Sequence, residues 1–169
     1  MSQLTNAELA SLSQAEIAAL RPDQVASLTY QQIGNLTNAF TQTLSNAQID
    51  ALLNTTVGVY DTNGAYYGTT NALLSSTVAQ LSPNQIAGLS AAQLAQFGGD
   101  KIGALAANQI QALSAGQLNS FNAGQIQTLT IAQFQSLTTP QLHEANVSPL
   151  KPPMVLPSKV KLICLLRSM

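Results

Sequence analysis

The chain has 169 residues, 46% of them apolar and only 8% charged, with a net charge of −1. The apolar fraction is enough for a core, so the exposed faces must be Gln, Asn, Ser and Thr in place of the ~25% charged residues usual in soluble domains. Near-neutrality leaves no electrostatic footprint for nucleic acid, the single cysteine, Cys164, excludes an intrachain disulfide, and no stretch approaches the ~18 apolar residues of a membrane span.

From Leu4 to Leu52 a leucine recurs every eight residues: Leu4, Leu12, Leu20, Leu28, Leu36, Leu44 and Leu52. The unit reads roughly L-[S/T]-x-x-Q-[I/L]-x-small. Ser or Thr followed three residues later by Gln or Glu is a capping box, and the flanking apolar pair is placed for a hydrophobic staple. Pro22 and Pro83 fall at the first helical position, where a missing N–H costs nothing. Glu8, Glu16 and Asp23 lie in first turns, where the helix dipole favours negative charge. The octad at Leu36 is degenerate, with Phe40 and Thr41 standing where Gln and Ile belong.

Apolar residues alternate at steps of five and three. Eight residues at about 100° each overshoot two turns by about 80°, so one continuous helix would wind its apolar stripe around itself. A strand fares no better, because odd steps alternate faces. The consistent reading is one short helix per octad, then a bend and a new cap. Helices below about 12 residues are marginal alone, and stacking on neighbours would rescue them. Small residues before each Leu (Gly88, Ala104, Ala112, Ser120, Ser136) would let neighbouring turns approach closely.

The stretch 53–72 breaks the pattern and holds Tyr60, Tyr66 and Tyr67. Asn63-Gly64 between β-favouring runs signals a hairpin, about Val57–Asp61 with Ala65–Thr69, or a tight loop. Leu52 to Leu81 is not a multiple of eight, so the octad register is expected to reset here. A second block spans 73–142. Its irregular caps are Gly98, Asn122 and Ala106, the last expected to cost about 1 kcal/mol, and Lys101 replaces a box-closing Gln. From 143 to 169 the chain turns basic and proline-rich, with four prolines, four Lys/Arg and one acid. An extended or disordered tail is expected there.

No catalytic, cofactor-binding or metal-ligating set is legible, and no enzyme is expected. His143 stands alone, and Cys164 sits in an apolar run that suits an inert thiol. Asp61-Thr62-Asn63-Gly64 resembles the start of a calcium loop but lacks the distal Glu, so a turn is expected. Glu8, Glu16, Asp23, Asp50 and Asp100 are scattered along helix surfaces and suggest no paired carboxylates. The Gln column is the one regular polar feature. Capping explains it without a ligand.

The octads resemble the L-T-x-x-Q-I-x-A-L arrays of large bacterial proteins that are secreted or surface-exposed. The resemblance covers Leu4–Leu52 and Leu73–Leu142 and implies a spacer, stalk or adhesive surface. It implies an extracellular or cell-surface place, although M-S-Q-L-T-N-A-E shows no signal peptide. The reading is therefore an all-α solenoid of short capped helices, one per octad, with a small insertion near 53–70. It is a non-enzymatic structural or interaction protein without cofactors, open to protein or glycan surfaces and to self-association. Two alternatives stand: a peptide- or protein-binding solenoid using Tyr60, Tyr66 and Tyr67, and a β-solenoid that binds surfaces or ice.

Overall fold

The computed structural model describes residues 5–60 and 63–141. The proline-rich tail, with His143 and Cys164, lies outside them, as does Asp61. The chain divides into two compact units between Leu89 and Ser90. The first runs α1 Asn6–Ser11, α2 Gln14–Ala19, α3 Pro22–Ala26, α4 Tyr30–Gly34, α5 Asn38–Thr43 and α6 Asn46–Asn54. It continues through β1 Thr56–Tyr60 and β2 Tyr66–Asn71 to α7 Ser75–Gln80 and α8 Pro83–Ala87. The second holds α9 Ala91–Ala95, α10 Gly99–Ala104, α11 Ala107–Ala112, α12 Ala115–Asn119, α13 Ala123–Thr128 and α14 Ile131–Ser136. A further helix occupies 139–141 at the edge of the described residues.

This is the all-α solenoid of short capped helices that the octads predict. The β-solenoid alternative fails here, since among the described residues the repeats are helices and the only strands are the hairpin pair. Many corners consist of two extended residues, such as Leu12 (φ −63°, ψ 132°) and Ser13 (φ −71°, ψ 161°), whereas α3, α8, α9 and α12 end on a residue still in the helical region, Ser27, Gly88, Gln96 and Ser120. The extended pair ends one helix and caps the next. Both apolar positions of the octad point inward: Ile17, Val25, Ile33, Ile49, Ile86, Leu94, Ile102 and Ile110 are at most 2% exposed. Each such side chain contributes about 1.5–3 kcal/mol by burial.

Capping boxes close at Thr5, Ser13, Thr29, Ser45, Ser82, Ser90, Ser114, Asn122 and Thr130. Arg21 and Ala106 have no acceptor to offer, and only the return half forms there, from their own N–H to Gln24 and Gln109. The Ala106 position differs from expectation in one respect. Asn108 Oδ1 accepts the Gln109 N–H at 3.0 Å, supplying the oxygen that the cap lacks. The small residues before each Leu also have a second use. Ser27, Ser120, Thr128 and Ser136 donate their hydroxyls to the carbonyl three residues earlier, satisfying a helix C-terminus.

Stacking follows a 24-residue step, three octads per coil. Within unit one α2 packs on α5 and α3 on α6; within unit two α9 packs on α12, α10 on α13 and α11 on α14, each partner starting 24 residues later. The box-closing Gln fastens these coils. Its Oε1 accepts the cap N–H, while its Nε2 donates to two carbonyls 31 and 28 residues earlier. Gln48 reaches Ile17 and Leu20 at 3.0 and 2.8 Å, and Gln125 reaches Leu94 and Phe97 at the same distances. Gln133 reaches Ile102 and Leu105, and Gln141 reaches Ile110 and Leu113, at 3.0 and 2.6 Å in each case. The Gln column is thus internal, and Gln48, Gln125, Gln133 and Gln141 are at most 4% exposed.

The insertion does not reset this stacking. Gln85 reaches Thr41 and Leu44 across 44 and 41 residues, thirteen more than elsewhere. α5 and α7 likewise pack with starts at 38 and 75, a step of 37. The hairpin adds thirteen residues to one coil and leaves the coil intact.

Two predictions follow from the caps. Gln125→Glu keeps the acceptor for the Asn122 N–H but sets a buried carboxylate against the Leu94 and Phe97 carbonyls, and should cost about 3–5 kcal/mol. Gln24→Glu, at an exposed closing position, should stay within about 0.5 kcal/mol of wild type; equal thermal melts for the two variants would refute the role of the Nε2 bonds. Glu8 is held below its ordinary pKa by the Thr5 backbone N–H and then its hydroxyl, and Glu16 by the Ser13 hydroxyl and then its N–H. A lowered carboxyl pKa stabilises the fold above the unfolded value of about 4.3, and that contribution disappears as pH falls through the lowered one. Side-chain carboxyl NMR titrations should give depressed midpoints at both residues, and Thr5→Ala with Ser13→Ala should raise them.

Candidate tyrosine-bearing hairpin site

The hairpin forms where Asn63-Gly64 predicts it. Gly64 takes φ +82°, which a turn with left-handed backbone needs and a side chain would resist. The strands pair antiparallel, Thr56 with Asn71 through Val59 with Gly68, and then Tyr60 with Tyr66. That step skips Tyr67, so a bulge sits between Val59 and Tyr60, and Gly68 absorbs it at φ +128°. Bulges twist strands and re-aim side chains. This one carries two successive tyrosines on the second strand.

Tyr60, Tyr66 and Tyr67 are 54%, 61% and 74% exposed. The Tyr60 and Tyr66 rings lie 5.5 Å apart and tilted by 58°, within the favourable range for edge-to-face pairs. Gly58 makes room for this pair. A Cβ there would stand 2.8 Å from Tyr60 Cε2. At the base the hairpin is anchored by Val57, which is buried, and by Ala72 N–H donating to the Thr55 carbonyl at 2.7 Å.

Between β1 and the corner leading into α4 lies an open cleft of about 650 Å³. Thr29, Tyr30 and Gln31 line one side, and Thr56, Gly58 and Tyr60 contribute on the other. Among the described residues none that lines it is charged. Tyr30 is the member that sequence reading passes over. Its only signal is the first helical position of an octad, which faces outward in most other repeats.

The other candidates resolve into structure. Asn63 and Gly64 belong to the hairpin turn, as expected in place of a calcium loop. Glu8 and Glu16 close capping boxes. Asp23 pairs with Arg21 at 2.9 Å and Asp100 with Lys101 at 3.6 Å, the latter lysine 4% exposed in a Gln position. Among the described residues no three of His, Cys, Asp and Glu come together, and no helix is long and apolar enough to cross a membrane. Compared with known proteins, the chain matches no family model, no curated protein and no solved structure.

Proposed function

We propose that the chain is a non-enzymatic structural and interaction module, in which helical coils act as a spacer and hold out the tyrosine hairpin as the contact surface. The observation that carries this reading is the distribution of exposed apolar side chains. Among the described residues the large exposed ones are Tyr60, Tyr66, Tyr67 and Ile131, and three of these four share one hairpin. Clustered exposed aromatics favour recognition, because they bury much area for little conformational entropy. The described residues lining the cleft beside them are uncharged, which supports a protein or glycan partner engaged through ring stacking and uncharged hydrogen bonds. The resemblance to bacterial octapeptide arrays, and the cell-surface place it implies, belong to the same proposal.

A pure spacer is the second reading, favoured by the internal strapping of the coils within each unit. The two are separated by replacing Tyr60, Tyr66 and Tyr67 with Ser together. Helicity and thermal melt should be unchanged, since the rings are exposed. Peptides and neutral oligosaccharides selected on the wild-type chain should bind the variant at least tenfold more weakly. Equal binding would leave the spacer reading alone.

A further inference from the structure

We infer that the cleft beside the hairpin takes an extended, uncharged peptide segment of a partner protein, which adds to the outer edge of β1 as a third strand. The inference rests on the reading of the hairpin as the contact surface and narrows it to one partner chemistry. Thr56 stands opposite Asn71, and the next pair along, Thr55 and Ala72, is joined by the Ala72 N–H to Thr55 carbonyl bond. In an antiparallel ladder, residues that exchange both backbone bonds with their partner alternate with residues that point both groups away. Val57 therefore bonds to Thr70, while Thr56 and Gly58 turn their N–H and C=O groups away from β2. Among the described residues no donor or acceptor meets these outward groups.

The outward groups open into the cleft. Thr56 and Gly58 line it together with Val57 and Tyr60, and among the described residues none of β2 does. The cleft thus runs along the outer edge of β1 and not over the face of the sheet. An edge of this kind is a template for another strand, and proteins blunt it with charged side chains or proline. Thr56-Val57-Gly58-Val59-Tyr60 has neither. Gly58, at its middle, leaves no side chain where an incoming backbone would approach. The described lining offers no countercharge, so a charged residue would lose water there without compensation. Side chains of an added strand alternate between its two faces, and the Tyr30 and Tyr60 rings stand ready for them. A sugar could stack on the rings, but regularly spaced N–H and C=O groups are the complement of a peptide backbone. The occupant is a lone segment and not the hairpin of a second copy. Thr29, Tyr30 and Gln31 wall the cleft opposite β1, and a second copy would bring the same wall against its own edge.

The test takes the full chain and a short synthetic peptide, the strongest binder selected on that chain from a displayed random library. The peptide's backbone N–H groups are replaced by N-methyl one residue at a time. Affinity should fall at least tenfold at alternate residues of the bound segment and stay within twofold at those between. Thr56→Pro removes one outward N–H of β1 and should weaken binding by a similar factor. An edge strand tolerates such a proline, and Thr55 before it is already extended (φ −103°, ψ 136°), as the residue preceding proline must be. Thr69, opposite Gly58, points its N–H to the other edge, and Thr69→Pro should bind as wild type. Unchanged thermal melts check both folds. Should Thr56→Pro unfold the hairpin, the methyl scan on the wild type decides alone. N-methyl losses without alternation overturn the inference, and the tyrosine contact still stands if the triple Ser variant loses the same peptide. A selection that yields binders only among neutral oligosaccharides overturns it too, as does a Thr56→Pro effect confined to association of the chain with itself.

Discussion

The fold depends on a primary amide at the closing position of most octads. A buried Gln side chain must find partners for an oxygen and two N–H groups, or it costs more than an apolar residue would. Here each need coincides with a need of the backbone. The oxygen serves the orphan N–H at a helix start, and the nitrogen serves two carbonyls where a helix in the coil below ends, one of which also accepts a backbone N–H. Helices of five or six residues offer nearly as many unsatisfied groups as satisfied ones. Their survival requires this reciprocity between coils. It also shows how a chain so poor in charge joins its coils: the buried closing amides bond to backbone where ion pairs are few.

The exceptions show what the amide contributes. Phe40 fills one such position with apolar volume, and Thr37 caps its helix without a closing partner. Thr77 occupies another, too short to span the gap. Its Oγ1 is buried without a hydrogen bond, as is Asn71 Oδ1 at the end of β2. The helix α7 that contains Thr77 has Leu74 as its cap and no side-chain bond there. The coil interrupted by the hairpin is therefore the one with the weakest polar bookkeeping.

Much of this was legible in the octads. Steps of five and three, hydroxyl caps, return carboxamides and the Asn63-Gly64 turn all act within a few residues, and local chemistry decides them. The second task of Gln was not legible, because it depends on the number of octads in a coil. That number is set by how the corner residues turn the chain, repeated three times, and no helical wheel contains it. The same gap explains the register. Counting in eights suggests a reset between Leu52 and Leu81, whereas the coil conserves position in space. The Asn108 substitute for the Ala106 cap escaped for a smaller reason: it lies one residue before the closing Gln, outside the pattern being matched. The three tyrosines stood out as a break in composition. Tyr30 did not, since an octad already accounted for it.

The thirteen added residues leave and rejoin the coil at neighbouring points. Leu73 donates to the Leu52 carbonyl at 3.1 Å, and both side chains are fully buried. Beyond that closure the foot of the hairpin touches the coils, β1 on α4 and β2 on α6, while Tyr60, Tyr66 and Tyr67 face solvent. Lengthening such an excursion costs little, about 0.6 kcal/mol for each doubling of a flexible loop. The coil thus behaves as a chassis whose geometry is indifferent to what is mounted on it. The hairpin is free to vary in sequence and size in ways that the repeats themselves, tied amide by amide to their neighbours, are not.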